Sequence, residues 1–284
     1  MRILITGNSG FIGSHLSARL CKEYELFYLA RPHTISQTPG AHDNMFFFAN
    51  NNIDSLTQFM RSNRIDGVIH LASLYLQRHE VRDIPDLIQS NVYFGTAVLE
   101  ASSSAGVKWF INTGTIWQNY NAPDNSDAYC PVNLYAATKQ AFMDIAKFYS
   151  ETSDMRICTL KLCDTYGPND PRKKIFALFE EVARTGDTLQ MSAGKQKLDI
   201  LHIDDVVEGF VILAEMLQKG ENLRAEYVLS SGQQLTLRQF AAKYEQEHKV
   251  HLNIEWGALP YRVREVMTPY KGNVLPGWKP KKLS

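Results

Sequence analysis

Cysteine is scarce: Cys21, Cys130, Cys158 and Cys163 stand far apart in 284 residues, with no CxxC pair and no histidine at a zinc-site spacing. This excludes a disulfide-stapled scaffold and a structural zinc module, and predicts reduced thiols, mostly in the core of a cytosolic protein with no metal site. An excess of one charge is also lacking, since 30 basic and 30 acidic side chains cancel. Nucleic acid and anionic membranes both select a concentrated basic patch, so neither is an expected partner. Long apolar runs are missing too. The first, Ile3-Leu4-Ile5, is far too short for a signal-peptide core or a membrane span, which predicts a soluble, cytoplasmic chain. There is no repeat or low-complexity tract, and Asn50-Asn51-Asn52 reads as a polar loop.

What is present is a regular alternation of short apolar runs with helical patterns, over a length that suits a nucleotide-binding domain with a smaller appendage. Strands are expected at Arg2 to Thr6, Glu25 to Ala30, Met45 to Phe48, Gly67 to Leu71, Trp109 to Asn112 and Arg156 to Leu162. A long helix is expected from Asp86 to Gly106, and another from 205 to 218 capped by Asp204 or Asp205. The alternation predicts an α/β fold, a doubly wound parallel Rossmann sheet with ligands at the carboxyl ends of its strands.

The first strand runs into Gly7-Asn8-Ser9-Gly10-Phe11-Ile12-Gly13 and then a helical stretch through Leu16 and Leu20. Strand, glycine turn and helix together make a phosphate site: Gly7 permits the turn, Gly10 lets backbone approach a pyrophosphate, and Gly13 lets helix pack closely on strand. Arg31 ends the second strand, where a Rossmann unit usually carries an acid for the adenosine ribose. A guanidinium there suits a 2′-phosphate, which favours NADP(H) over NAD. His33 could assist it. Buried His70 reads as a structural partner.

Tyr135 and Lys139 are four residues apart in a helical segment and so share one face. An ammonium beside a phenol favours the phenolate, which would bring a group of ordinary pKa about 10 towards neutrality.

Together the GxxGxxG turn, His70-Leu71-Ala72-Ser73, the Asn91-Val92-Tyr93-Phe94-Gly95-Thr96 run and the Tyr135/Lys139 pair resemble the extended short-chain dehydrogenase/reductase family acting on nucleotide sugars. Asp164-Thr165-Tyr166-Gly167-Pro168-Asn169, Gly194 to Asp199, Tyr261-Arg262-Val263-Arg264-Glu265 and Gly277-Trp278-Lys279-Pro280 extend the resemblance along the chain. Within the family, the segments around Thr113, Tyr135 and Asp164 look most like CDP-abequose and CDP-paratose synthases.

The resemblance implies a Rossmann domain at 1–165, rejoined by 198–220, and a nucleotide-sugar domain at 166–197 and 221–284. It places Asn52 and Ile53 beside the adenine and the backbone of Leu71, Ala72 and Ser73 along the cofactor. Aligning Ile116-Trp117 with the family's Val-Tyr puts Thr113 at the substrate oxygen, with Thr115 as fallback. Tyr135 then moves the proton, while Lys139 holds the nicotinamide ribose and lowers the tyrosine pKa. Lys197 and Arg262 would meet the sugar diphosphate, whereas Asp164 either holds a sugar hydroxyl or caps its loop. Dehydratases of the family follow the threonine with Asp-Glu; here Gly114 and Thr115 stand there, which disfavours water elimination. The expected activity is NADPH-dependent reduction of the 4-keto group of a CDP-deoxyhexulose, in making a lipopolysaccharide O-antigen sugar. The alternatives are an NAD-dependent nucleotide-sugar 4-epimerase and, from another class, a non-catalytic NADP-binding redox sensor. A homodimer through 86–106 and 132–150 is the family's usual assembly.

Overall fold

The computed structural model describes residues 1–31, 44–49, 52–120, 126, 128–172 and 174–282. His33, Asn50 and Asn51 lie outside them. In chain order the first half contains β1 (Arg2–Thr6), α1 (Phe11–Leu20), β2 (Glu25–Ala30), β3 (Met45–Phe47), α2 (Ile53–Ser62), β4 (Gly67–His70), α3 (Ile84–Ile88), α4 (Phe94–Ala105) and β5 (Trp109–Thr115). There follow α5 (Leu134–Thr152), β6 (Arg156–Leu162), β7 (Asp164–Tyr166), α6 (Ile175–Thr185), β8 (Leu189–Met191), β9 (Lys197–Leu198) and β10 (Ile200–His202). The last elements are α7 (Ile203–Lys219), β11 (Glu226–Leu229), β12 (Leu235–Thr236), α8 (Leu237–His248) and β13 (Ile254–Trp256).

Seven of these strands form one sheet in the order β11-β6-β5-β4-β1-β2-β3, all neighbours parallel. This is the expected doubly wound α/β fold. Its strands are apolar on both faces because helices cover both. Ile3 and Ile5 face a core shared with α1 and α7, whereas Leu4, Val68 and Phe110 face a core shared with α2, α4 and α5. Strand order reverses between β1 and β4, so a crevice opens there at the carboxyl ends of the strands. A smaller lobe, with a core around Phe179, Phe240 and Leu252, carries three two-stranded pairs: β7 with β10, β9 with β12 and β8 with β13.

Three expectations change in detail. The helix expected from Asp86 to Gly106 is helical throughout but contains a π-helical turn, Gln89–Tyr93. Helix α7 is capped by His202, whose ring accepts the Asp204 N–H at 3.2 Å; Asp204 and Asp205 lie in its first turn. Buried Asp205 instead accepts the backbone N–H groups of Lys281 and Lys282 at 3.0 and 2.9 Å. Finally, β11 pairs with β6 in the main sheet, and Tyr270, Leu275 and Trp278 join its core, so 221–284 is shared between the two lobes. Of the cysteines, Cys158 and Cys163 are buried, while Cys21 is exposed and Cys130 half-buried. Among the described residues no helix is long and apolar enough to cross a membrane.

Candidate active site

The turn after β1 is built by its glycines. Gly7 has φ +74°, and a Cβ on it would sit 2.7 Å from the Ala72 nitrogen; a Cβ on Gly13 would lie 2.1 Å from the Gly7 oxygen. Gly10 caps α1 with no side-chain hydrogen bond, and no acid stands in the first turn. The N–H groups at that helix start therefore have no competing carboxylate, which suits them to a phosphate.

A cavity of about 240 Å³ runs from this turn to the end of β5, lined by Gly7, Gly10, Phe11, Ile12, Gly13, Leu71, Ser73, Thr113, Thr115, Tyr135 and Lys139. The sequence-predicted catalytic and phosphate residues thus share one cleft. Ala72 touches Gly7, but its N–H is spent on the Thr6 hydroxyl at 3.1 Å. Asn52 caps α2, accepting the Ser55 N–H at 2.9 Å, and Ile53 packs on the core below; neither lines the cavity. Arg31 is exposed just past β2.

At the end of β5 the Thr113 hydroxyl oxygen is buried with no hydrogen-bond partner among the described residues. A buried, unmet hydroxyl is costly; Ser17 Oγ and Asn112 Oδ1 share that state, but of the three residues Thr113 alone lines the cleft, where its hydroxyl is available to a bound group. Thr115 is engaged otherwise: its hydroxyl accepts the Trp117 N–H at 3.3 Å and caps the short turn Ile116–Gln118. Gly114 has no room for a carboxylate, because a Cβ would lie 2.9 Å from both Lys161 Cγ and Thr159 Cγ2.

Lys139 is 2 % exposed and has neither hydrogen bond nor ion pair with a described residue. Burial brings its pKa down from 10.5 to about 8. Burial, then the neighbouring Tyr75, push the Tyr135 phenol above its ordinary 10.0, while Ser73 and Arg172 act in the opposite sense. The expectation that Lys139 lowers the tyrosine pKa is not met in the protein alone, because desolvation of the phenol outweighs every charge near it. His70, behind the centre, is neutral: burial and then the Lys139 charge hold its pKa at about 3, and its Nδ1 is 2.9 Å from the Thr6 hydroxyl.

Tyr135 and Lys139 are held by α5, whose Asn133 cap accepts the Ala136 N–H at 3.0 Å. Asn91, in the π-helical turn, ties that helix to the loop after β4. Its amide oxygen accepts from Leu74 N–H at 2.7 Å and Ser73 hydroxyl at 3.1 Å, and its NH₂ donates to Leu74 O and the Thr138 hydroxyl, both at 3.0 Å. The Asn91 to Thr96 run thereby gains a physical meaning, since Gly95 is also pressed against Phe142 of α5.

A second cavity of about 640 Å³ opens beside the first and into the smaller lobe. Its wall includes Asp164, Lys197, Arg262 and Arg264. Asp164 pairs with Lys174 at 2.7 Å, and Arg262 lies 3.8 Å from Glu265. Lys197 is exposed, and its side chain has no described partner. Tyr75, Arg172 and Lys174 line both cavities and were missed from sequence. Tyr75 had a usable signal: it follows Ser73 by two, the spacing that returns an extended chain to the same face. It meets Tyr135 edge-on with ring centroids 5.1 Å apart.

These residues fit a pyrophosphate-bearing nicotinamide dinucleotide: a glycine cradle that any Cβ would fill, an unpaired buried ammonium and an orphaned hydroxyl in one cleft. Comparison with known proteins agrees. A CDP-abequose synthase of Yersinia pseudotuberculosis is 28% identical over 271 residues, covering 95% of this chain and 92% of that protein. Another, from Salmonella muenchen, is 27% identical over 270 residues, covering 94% and 87%. Among solved structures, the Thermus thermophilus UDP-glucose 4-epimerase complex with NAD superposes with a TM-score of 0.80 at 22% identity, over 100% of this chain and 95% of that one, a likeness of fold. The profile of the NAD dependent epimerase/dehydratase family matches residues 3–229, the span of the whole main sheet from β1 to β11, and the chain belongs to that family.

Proposed function

We propose that the protein is an NADPH-dependent reductase of the 4-keto group of a CDP-activated deoxyhexulose, serving deoxysugar assembly for a surface polysaccharide. The carrying observation is the orphaned Thr113 hydroxyl in the cleft of Tyr135 and Lys139, beside a position 114 that cannot hold an acid. Similarity to CDP-abequose synthases over nearly the whole chain supports the substrate class. Arg31 supports the phosphorylated cofactor.

The nicotinamide cofactor supplies hydride when bound. Thr113 donates a hydrogen bond to the carbonyl oxygen, orienting it and stabilising the charge that develops there. Tyr135 delivers the proton to the same oxygen. A phenol held above its ordinary pKa is protonated at neutral pH, the state a reduction needs. Lys139 and the glycine turn bind the ribose and the phosphates, and the larger cavity takes the nucleotide sugar, with Lys197 and Arg262 towards its diphosphate. The same reading includes a homodimer through α3, the π-helical turn, α4 and α5; Ile84 and Ile88 of α3, Tyr93 of the π-helical turn and Phe148 of α5 are exposed.

The test is incubation with NADPH and CDP-, dTDP-, UDP- and GDP-4-ketohexoses, following NADPH absorbance and product stereochemistry. Consumption of NADPH with the CDP sugar is expected. A 4-epimerase would share the three catalytic residues; protein that carries tightly bound NAD and leaves NADPH unoxidised with every sugar overturns the reductase reading.

A further inference from the structure

Arg172 belongs to the smaller lobe yet reaches the glycine turn. Its guanidinium carbon lies 4.6 Å from the centre of the Phe11 ring, at the first residue of α1. Nε and Nη2 both donate to the Asp170 carboxylate at 2.7 Å, and Nη2 also donates to the Thr165 carbonyl at 3.1 Å and hydroxyl at 2.9 Å. The remaining nitrogen, Nη1, has no hydrogen bond to a described residue. The side chain lines both cavities, the one that contains the glycine turn and the larger one beside it. A guanidinium fixed on two edges and free on the third has already lost the rotamer freedom that binding would otherwise cost.

We infer that Arg172 is a phosphate-binding residue, gripping from the substrate lobe the pyrophosphate of the dinucleotide held by the glycine turn. This rests on the cofactor reading above. Two observations favour the cofactor's pyrophosphate over that of the sugar. Arg172 stacks on the residue that opens α1, where the backbone N–H groups gather an anion. The sugar cavity, for its part, already has Lys197 and Arg264, neither paired with a described carboxylate. The Arg172 charge also reaches the catalytic phenol, acting on Tyr135 in the lowering direction. Cofactor binding would then join the lobes, with loop and helix α1 sharing one anion.

Calorimetric titration of ADP-ribose, NADPH and CDP into the wild type, Arg172→Met, Arg172→Lys and Asp170→Asn tests this, with circular dichroism confirming that each variant is folded. Arg172→Met should weaken ADP-ribose and NADPH by about tenfold to a hundredfold, the loss of one charge-assisted hydrogen bond, and leave CDP within about twofold. Arg172→Lys should recover part of the loss, and Asp170→Asn, which frees the fork, should lose less than Arg172→Met. Unchanged ADP-ribose affinity in Arg172→Met overturns the inference, as does a loss confined to CDP. Wild-type protein that binds neither ADP-ribose nor NADPH overturns the cofactor reading itself, and this inference with it.

Discussion

Lys139 sits in the sheet-facing side of α5 at 2 % exposure with no ion-pair partner among the described residues, so the unliganded protein carries a desolvated charge. Its pKa is about 8 in the fold against an ordinary 10.5. The unfolded chain therefore holds a proton that the fold has lost between those values, and stability should rise with pH across that window. Below about pH 8 the deficit is constant at about 3 kcal/mol. Lys139→Met should remove that pH dependence and raise the urea midpoint of the unliganded protein at neutral pH, while abolishing turnover. A flat stability profile in the wild type would show that the ammonium is hydrated after all. Tyr135→Phe should cut kcat by about a thousandfold while leaving NADPH affinity unchanged, as measured by single-turnover kinetics and titration. Retained turnover would remove Tyr135 from the proton path. At this scale the meeting of Thr113, Tyr135 and Lys139 in one cleft is legible because motif order and helix-face spacing are local in sequence. The direction of the Tyr135 shift is not, since desolvation depends on what the whole fold packs over the ring.

Among the elements, the π-helical turn is what joins the loop after β4 to α5, the helix of Tyr135 and Lys139. Asn91 is 2 % exposed and makes four hydrogen bonds, to Ser73, both backbone groups of Leu74 and Thr138. Asn91→Ala should cost about 2–4 kcal/mol, because it leaves several buried partners unmet. Chemical denaturation measures the loss, and proteolysis should open first in the loop after β4. Asn91→Ser, which can keep one acceptor, should lose less. The strand and helix pattern is readable because buried parallel strands are short apolar runs, and glycine turns punctuate them. The π-helical turn is not, because the phase shift of about 100° that one extra residue brings is hard to tell, within so few turns, from ordinary scatter in the apolar pattern. Asn52, read from sequence as lying beside the adenine, also caps α2, a role that an asparagine just before a helical run makes legible.

At the scale of the molecule, the segment beyond the smaller lobe returns to finish the larger one. Trp278 is 3 % exposed in the main core and donates its indole N–H to the Asp205 carbonyl at 2.9 Å; Val274 bridges to Val228 of edge strand β11. Trp278→Ala should destabilise the protein by about 3–5 kcal/mol, lowering the denaturation midpoint without changing the affinity for ADP-ribose, since the glycine turn lies elsewhere. A loss below about 1 kcal/mol would mean that the core closes without the indole. The boundary drawn at residue 221 from sequence failed here for a topological reason. Pairing partners far apart in the chain leave no local mark, and β11 meets β6 only after α6, α7 and several short strands have intervened. That long return has a bearing on synthesis. A nascent chain that has emerged only through β11 still presents the flank later bridged by Val274 and the core position later filled by Trp278, so the larger lobe completes its core only when those residues emerge. Until then the half-made sheet keeps that edge strand and that part of its core uncovered, the features that expose a folding intermediate to association.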